Sequence, residues 1–501
     1  MKDNIIFWLD GDFTTFGLAK YIQDRHDCNI SAIIDISDKP KGFFQQQKLI
    51  QFNKIWFYHD HINIKKKPDL KYLSDFEEKY HINLWLLAYN ERLFFKFNYY
   101  HTFSDDDILS ILEQECKLFE TVLDDVKPDF LIIPQTNVHH THLFHELCKA
   151  KGIKILMLGP SRFGYRCIIS TDTDKIDEVI INSSEKIEET TWDDLENYLE
   201  KFNSFKNSSS WKKKFLTSKS KQLKAICKFL LSKNNNVHTH YTYFGRTKLR
   251  VFAIQLYYKI IETYRNYFIN ANLINELNVD KPFIYFPLHE EPESSLLLCA
   301  PFYTNQIEVI TQIVKSLPIG YDLYVKEHFV MSARGWRELS FYKQLMKLPN
   351  VKLIHPSITP KQILEKCSLV ITIGGTSGLE AALNKKPSII FTDVDYAKLP
   401  SVKKINRIEE LPEAIKASLK IKVNPIDIIK FTKFVEDNSF EFDLMEIGSD
   451  SNEHFFYGGF LSDVEVTDNQ MKLFLDEHDS EFSTLAMEHI KKIQKYHTKG
   501  T

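Results

Sequence analysis

Short apolar runs alternate with helical patterns along the first part of the chain. The runs that predict strands lie at residues 5–9, 29–36, 55–58, 130–134 and 153–158. Amphipathic patterns follow the first run to about residue 23 and occupy residues 142–151 between the last two. Because strands that alternate with helices build βαβ units, we predict a parallel sheet covered by helices on both faces. This first domain is expected to span residues 1–200.

A second block of the same kind begins near residue 281. Its predicted strands lie at residues 282–287, 321–325, 351–354, 369–373 and 388–392. Its predicted helices lie at residues 303–317, 337–347, 360–366 and 378–384. The fold class is therefore α/β with two doubly wound parallel sheets, the second in a domain at residues 276–440. Such sheets bind ligands at the carboxyl ends of their strands, so we expect the chemistry in a cleft between the two domains.

A strongly basic stretch separates the two blocks, and we assign it as a helical connector at residues 201–275. Residues 201–270 contain fifteen lysines and arginines and one acidic residue, Glu262. Apolar side chains recur there at helical spacing, at Phe215, Leu223, Ile226 and Leu230. A basic amphipathic helix is typical of a membrane-surface element. The alternative is a connector whose apolar face packs on the domains and whose lysines are only solvated.

The composition is that of an ordinary globular protein, with 43% hydrophobic and 26% charged residues among 501. A net charge of −3 gives no global field that would attract nucleic acid. The seven cysteines form no CxxC pair, which argues against a disulfide framework and a zinc knuckle and fits a reducing cytosol. The first apolar run is too short for a signal peptide, and no run approaches the roughly 18 residues of a membrane span. We therefore expect a cytoplasmic protein, peripheral at the inner membrane face at most. The remaining residues, 441–501, are acidic, end in a helix and can cross back to the first domain.

A glycine-rich loop follows the predicted strand at residues 369–373. Glycines let a backbone approach a ligand closely, and the N-terminus of the next helix offers N–H groups and a positive dipole end. The loop is therefore predicted to bind a phosphate through Gly374, Gly375, Thr376, Ser377 and Gly378. Ser377 and Glu380 also have the spacing of a capping box, which can coexist with phosphate binding.

Two other predicted strands of this domain end in polar runs. One run contains Lys326, Glu327 and His328, and its basic groups can neutralise a phosphate leaving group. The other contains His289 and Glu291, which can bind ribose or sugar hydroxyls. A metal site would need more defined ligand spacing, so we predict no metal ligand here.

The first domain has two groups of candidates. Asp10 and Asp12 follow its first strand, where a carboxylate can act as general base on an acceptor hydroxyl or as a nucleophile. The alternative is a turn that uses aspartate and glycine for backbone reasons. The acceptor-side candidates follow a later strand and are Gln135, Asn137, His139 and His140.

His139, His142 and His145 would share one helix face, because their spacing is three residues. Such a face is typical of a solvated surface, and a metal site is the less favoured alternative. We therefore predict no metal and no cofactor.

The runs YFPLHEEPESS, LYVKEH, LPNVKLI and VITIGGTSGLEAALNKKPSIIF resemble the capsular polysaccharide biosynthesis family. That family includes Kdo transferases and is similar to sialyltransferases of the GT-B type, in which two Rossmann-like parallel-sheet domains face each other across a cleft. The resemblance implies that His328 and Thr376–Ser377 bind the donor phosphate, as the "HP" and "S/TS" motifs of the family do. It also implies that Glu380 lies near the donor ribose or sugar. The chain departs from the family at Phe329, where a proline is usual, and at Lys385, where a glycine is usual.

The resemblance implies a metal-independent glycosyltransferase that moves a sugar from a nucleotide donor onto a surface polysaccharide or glycolipid. A CMP-linked acid sugar such as Kdo is favoured as donor by the resemblance alone. The expected partners are the nucleotide sugar, a glycan or lipid-linked acceptor and an anionic membrane surface, but not nucleic acid. The alternatives are a nucleotide-sugar 2-epimerase of the same fold and a non-catalytic scaffold of glycan assembly.

Overall fold

The computed structural model describes residues 2–63, 67–178, 190–202, 219–333 and 335–499. The chain divides into two compact units. The first unit comprises Met1–Glu178, Leu199–Arg250 and Asn438–Thr501. The second unit comprises Val179–Tyr198 and Val251–Asp437.

The first unit contains a seven-stranded sheet in the order β13-β6-β5-β4-β1-β2-β3. Its strands are β1 Asp3–Leu9, β2 Cys28–Ile34, β3 Phe52–Phe57, β4 Phe130–Pro134, β5 Lys154–Pro160, β6 Arg166–Ser170 and β13 Phe440–Glu441. Strands β1 to β5 pair in parallel, while β6 pairs antiparallel with both β5 and β13. Along β1, Ile5 and Phe7 belong to one hydrophobic core and Ile6 and Trp8 to another. Because strand side chains alternate between faces, the sheet has a core on each side.

Helices cover both faces of this sheet. One face carries the helices Thr14–Arg25, Leu444–Phe455, Asp468–Glu477 and Asp479–Lys499. The other carries the helices Leu70–Tyr80, Leu84–Asn90, Asp105–Val126 and His139–Ala150. The remaining helical segments are Asp38–Gln46, Tyr58–His61, Lys219–Leu231, Asn236–Thr239 and Tyr241–Tyr243. A Cβ on Gly17 would lie 2.3 Å from the Phe482 ring, so only glycine lets the first and last helices pack this closely.

The second unit contains a six-stranded, all-parallel sheet in the order β12-β11-β10-β7-β8-β9. Its strands are β7 Phe283–Pro287, β8 Asp322–Lys326, β9 Val351–Ile354, β10 Leu369–Thr372, β11 Ser388–Ile390 and β12 Val402–Lys404. Its helical segments are Ser294–Leu297, Pro301–Tyr303, Gln306–Ser316, Val330–Ala333, Leu339–Leu345, Pro360–Lys366, Ser377–Leu383, Asp395–Lys398, Ile408–Glu410, Leu411–Ser418 and Pro425–Asp437. Two more helices, Trp192–Glu200 and Lys248–Asn272, contain residues of both units.

The prediction of an α/β chain with two parallel-sheet domains is confirmed by these two sheets. Three short strands have no sequence prediction, namely β6, β12 and β13. They have only two to five residues each, so their apolar patterns are too brief to read. The domain limits at residues 200, 275 and 440 stay predictions, and Lys212–Lys214 and Phe215 lie outside the described residues. Among the described helices, none combines the length and the apolar character that a bilayer-spanning segment needs.

Candidate functional site

The glycine loop of the second unit connects β10 to the helix Ser377–Leu383. A Cβ on Gly374 would lie 2.3 Å from Thr392 Oγ1, and one on Gly378 would lie 2.7 Å from the Tyr396 ring. Both positions therefore require glycine because neighbouring side chains pack directly on the loop backbone. Between them, the Gly375 N–H donates to Thr372 Oγ1 at 3.3 Å.

The predicted capping box between Ser377 and Glu380 is wrong. The N-cap of the helix is Thr376, whose helical backbone (φ −57°, ψ −21°) differs from the extended backbone that side-chain caps adopt. Ser377 is the first helical residue, so its hydroxyl is not at the capping position. The Thr376 hydroxyl instead donates to Glu380 Oε1 at 3.1 Å. Thr376 is exposed and Ser377 is half-buried.

The loop that follows β7 packs beside the glycine loop, because β7 and β10 are neighbours in the sheet. His289 is buried, and its Nε2 lies 3.2 Å from Thr372 Oγ1. Its backbone N–H donates to Gln306 Oε1 at 2.8 Å, and Gln306 Nε2 donates to Glu291 Oε1 at 2.7 Å. The structure thus brings His289 and Glu291 together at the carboxyl ends of adjacent strands.

A buried arginine holds the carboxylates of this region. Arg337 Nε donates to Glu327 Oε2 at 2.9 Å, and Arg337 Nη1 pairs with Glu291 Oε1 at 2.8 Å. Arg337 Nη2 also donates to the backbone carbonyl of His289, and Tyr342 OH donates to Glu327 Oε2 at 2.6 Å. Burial alone would lower the pKa of Arg337, but the two glutamates raise it. Sequence analysis missed Arg337, which it assigned only to a predicted helix.

The two basic residues at the end of β8 differ in exposure. Lys326 is the last strand residue and is buried. His328 is half-buried, and its Nδ1 lies 3.9 Å from Glu290 Oε2. His328 therefore reaches solvent from the same edge at which Arg337 fixes Glu327.

In the first unit, the two aspartates after β1 have different environments. Both the N–H and the hydroxyl of Thr14, the first residue of the helix Thr14–Arg25, donate to Asp12 Oδ1, at 3.0 and 2.6 Å. Asp10 Oδ1 accepts from the Asp12 N–H at 2.9 Å. Burial and the nearby charge of Asp12, with a contribution from Asp35, raise the pKa of Asp10 to about 8.

A cavity of about 490 Å³ opens beside this turn, within the first unit. It is lined by Gly11, Asn137, His139 and His140, but neither Asp10 nor Gln135 is among its lining residues. Gln135 lies against the backbone of β5, where a Cβ on Gly159 would be 2.6 Å from its Nε2. Other polar lining residues, which sequence analysis missed, are Asp35, His59, Glu91, Arg92, Tyr241 and Arg246.

Buried histidines and carboxylates form a continuous network along the wall of this cavity. His139 Nδ1 lies 2.8 Å from Glu91 Oε2, and its Nε2 lies 3.0 Å from Glu115 Oε1. Tyr58 donates to Glu115 and lies 2.9 Å from the Tyr241 hydroxyl. The network is therefore held together by residues from five separate segments of the chain.

A second branch of the network centres on Asp35. Its two carboxylate oxygens lie 2.8 Å from His140 Nε2 and 3.0 Å from His59 Nε2. The Tyr241 hydroxyl joins the branches, 3.4 Å from His140 Nδ1. Among the described residues, Nδ1 of His59 and Oε2 of Glu115 have no hydrogen-bond partner.

These contacts set the charges of the network. Burial opposes a charge on His139, but Glu115 and Glu91 outweigh it and raise the pKa of His139 to about 10. The hydrogen bond from His139 likewise lowers the pKa of Glu91 to about 2 against the effect of burial. The pKa of Asp35 lies far below its usual value, because His140 and His59 outweigh burial. At neutral pH, His139 is therefore an imidazolium between two carboxylates.

The expectation of a solvated histidine face on the helix His139–Ala150 is wrong. His139 and His145 are buried, and His142 is half-buried. Two groups of side chains in the described chain have ligand atoms close enough for a metal ion, namely Glu115 with His139 and His140, and His142 with His145 and Glu146.

Part of this chain is similar to a known protein family. Residues 189–398 match the family model described as capsule polysaccharide biosynthesis protein. This match covers β7 to β11, the glycine loop and the arginine network of the second unit. No curated protein sequence gives a significant match.

Several solved structures are similar at low sequence identity. One is a beta Kdo 2,7 transferase, KpsC of Thermosulfurimonas dismutans, with 11% identity, 63% of this chain and 79% of that chain covered, and a TM-score of 0.29. Another is the UDP-GlcNAc 2-epimerase of Methanocaldococcus jannaschii in complex with UDP-GlcNAc and UDP, with 12% identity, 87% and 100% covered, and a TM-score of 0.26. These scores are too low to carry an argument. The match of residues 189–398 to the capsule polysaccharide biosynthesis model confirms the resemblance seen in the glycine loop and the strand ends.

Proposed function

We propose that this chain is a glycosyltransferase of capsule polysaccharide biosynthesis, which transfers a sugar from a nucleotide donor to a surface glycan or glycolipid. The observation that carries the proposal is the convergence of the glycine loop and His289 at the ends of β10 and β7, with His328 on the adjacent β8. This convergence lies inside the segment that matches the family. Parallel sheets bind ligands at this edge.

In this proposal, the exposed Thr376 and the half-buried Ser377 and His328 bind the donor phosphate. Hydroxyl and imidazole donors at this edge stabilise the charge that develops on the leaving nucleotide. Glu291 and Glu327 are positioned by Arg337, so we assign them to the support of the loop rather than to direct phosphate contact. A CMP-linked acid sugar such as Kdo is the favoured donor.

The acceptor binds in the cavity of the first unit, beside Asn137, His139 and His140. Two carboxylates of the cavity wall, Asp35 and Glu91, are paired with histidines. The wall also contains two arginines, Arg92 and Arg246. The wall can therefore receive an acidic group of the acceptor glycan.

Asp10, which does not line the cavity but directly precedes its lining residue Gly11, is the proposed general base for the acceptor hydroxyl. Its pKa of about 8 is close to neutral pH, where general bases are most effective. Asp12 is a less suitable base, because its Oδ1 already accepts two hydrogen bonds from Thr14. His59 is a second candidate, since Asp35 orients its Nε2 and leaves Nδ1 as the acceptor atom.

The experiment that tests the proposal is nucleotide release from CMP-, UDP- and GDP-sugars, each with and without an acceptor glycan. A glycosyltransferase should release nucleotide faster when the acceptor is present and should attach the sugar to it. Formation of the C2 epimer of the donor sugar without an acceptor would instead identify a 2-epimerase. The absence of both release and donor binding would favour the scaffold interpretation.

A membrane partner is supported by a line of exposed apolar side chains. On the helix Lys248–Asn272 these side chains recur every three or four residues and are Leu249, Phe252, Leu256, Ile260, Tyr264 and Tyr267. On the helix Lys219–Leu231, the exposed side chains include Leu223, Ile226 and Leu230, so their apolar face does not pack on a domain. Apolar side chains beside many lysines are typical of a helix at an anionic membrane surface.

Flotation with phosphatidylglycerol vesicles tests the membrane proposal. The full chain should float at low salt and sink at high salt, because screening weakens contacts between lysines and lipid. The double variant Leu256→Glu with Ile260→Glu should not float. Ile319→Glu, which also replaces an exposed isoleucine, is the matched control and should float like the wild type. Wild-type protein that does not float at low salt would contradict the membrane proposal without affecting the donor site.

A further inference from the structure

Two clusters in the first unit have the donor atoms of a metal site, and they differ in how their charges are balanced. In the cluster of Glu115, His139 and His140, the imidazolium of His139 already lies between two carboxylates. A positive charge is thus present there without a metal ion. The cluster of His142, His145 and Glu146 has a single carboxylate, which lies 3.0 Å from His145 Nδ1, and it lies apart from the lining of the cavity.

We propose that His142, His145 and Glu146 bind a divalent transition-metal ion such as Zn²⁺. The three residues belong to the helix His139–Ala150 at positions i, i+3 and i+4, which places them on one face. Their ligand atoms all lie within 4.8 Å of one another. Two imidazoles and one carboxylate are a ligand set that zinc adopts, with water completing the tetrahedron.

The hydrogen bonds of His145 fix its tautomer. Its Nε2 lies 2.8 Å from the backbone carbonyl of Thr171, and a carbonyl only accepts, so Nε2 carries a proton. Its Nδ1 faces Glu146 Oε1 at 3.0 Å. A proton can bridge these two atoms, and a metal ion that binds both of them takes the place of that proton. Histidine ligands commonly donate their second ring N–H to a backbone carbonyl in this way.

The other two ligands are held in place and remain open to solvent. His142 Nδ1 lies 3.2 Å from Thr136 Oγ1, which orients the ring. Because His142 and Glu146 are only half-buried, an ion can enter from solvent.

The neighbouring lysine does not compete with a metal ion for the three ligands. Asp172 pairs with Lys149 at 2.6 Å, so that lysine is neutralised rather than directed at the ligands. The site does not depend on the proposed transfer reaction, and its test uses no activity assay. A bound ion would tie the helix His139–Ala150 to the backbone at Thr171 through His145.

The test is metal content and Co²⁺ spectroscopy of the full chain. After chelation, dialysis against Zn²⁺ should leave one zinc ion per chain, and Co²⁺ should give the visible absorption bands of a four-coordinate site. His142→Ala and Glu146→Gln should each weaken zinc binding more than about a hundredfold, beyond the effect of outer-shell changes. His238→Ala, which removes an exposed histidine elsewhere in the same unit, should bind like the wild type.

Circular dichroism of each variant establishes that it is folded. If His142→Ala does not fold, the conservative Glu146→Gln variant still tests the site. Wild-type protein that retains no zinc or cobalt would overturn the proposal. Zinc retained equally by His142→Ala and Glu146→Gln would also overturn it.

Discussion

Both units contain carboxylates paired with cationic side chains, but the two units use different cations. In the second unit, Arg337 neutralises Glu291 and Glu327, and a guanidinium keeps its charge at every physiological pH. In the first unit, histidines neutralise Asp35, Glu91 and Glu115, and histidine charge depends on pH and surroundings. The support of the proposed donor loop is therefore insensitive to pH, whereas the cavity wall of the first unit responds to it.

The strongest test of this comparison removes the permanent cation. Arg337→Ala leaves the carboxylates of Glu291 and Glu327 without their cation, so we expect the free energy of unfolding to fall by about 3–5 kcal/mol. Donor affinity should fall as well, because His289 loses a contact to its carbonyl. Urea denaturation and calorimetry measure the two effects. Arg407→Ala, at an exposed ion pair, should change stability by no more than about 1 kcal/mol. Equal effects of both changes would refute the supporting role of Arg337.

The titratable cation of the first unit predicts a pH dependence. Because the pKa of His139 rises from 6.5 to about 10 on folding, its stabilising contribution is complete below pH 6.5 and is lost as the pH rises to 10. The pKa of Glu91 falls from 4.5 to about 2, so its contribution is present above pH 4.5 and is lost towards pH 2. Urea midpoints of the wild type should therefore decline between pH 6.5 and 10.

His139→Gln is the variant that tests the origin of this decline. It removes the imidazolium, so it should be less stable than the wild type at pH 6.5 and should decline less on the way to pH 10. The same measurement on Arg337→Ala should keep the wild-type slope. A His139→Gln slope identical to that of the wild type would assign the decline to other groups.

Substitutions at the proposed donor-binding edge should have the next largest effect. His328→Ala and Ser377→Ala should each reduce sugar transfer by about a hundredfold or more, the scale for loss of one group that stabilises developing charge. Calorimetry should show weaker nucleotide binding with an unchanged unfolding midpoint. Ser340→Ala, an exposed serine in the same unit, is the matched control. Unchanged donor affinity in both site variants would remove the donor assignment.

The smallest expected effects separate the two aspartates. Asp10→Asn should lose turnover by about a hundredfold while binding donor normally, as expected for a positioned base. Its stability relative to the wild type should rise between about pH 4 and pH 8 and stay constant above pH 8, because the Asp10 carboxyl is harder to ionise in the folded chain than in the unfolded chain. Asp12→Asn should keep turnover and lose less than about 1 kcal/mol of stability, because the amide oxygen of asparagine can still accept from Thr14. Full activity in Asp10→Asn would direct the search to His59.

The contrast between the units also explains what the sequence could predict. The glycine loop, His289 and His328 each follow an apolar run directly, so a strand end and its polar residues are visible together in a short window. The cavity network joins Tyr58, Glu91, Glu115, His139 and Tyr241, whose proximity is created only by tertiary packing.

Arg337 shows the same limit on a smaller scale. In the sequence it is a polar residue beside the helix Leu339–Leu345, and nothing local marks it as buried. Only its contacts with Glu327 and Glu291, which follow other strands, give it a role. The basic connector was predictable in charge and amphipathicity, but the outward direction of its apolar face was not.

The return of residues 438–501 to the first unit has a consequence for the order of folding. The second unit ends at Asp437, so its whole sheet is synthesised before the last helices of the first unit. The first unit needs Phe482 against Gly17 and β13 on the edge of β6 to complete its core and its sheet. During synthesis, the sheet of β1 to β6 therefore lacks the C-terminal helices on one face and lacks β13 at the β6 edge. Such surfaces are the ones that chaperones bind, and the final 64 residues close both of them at once.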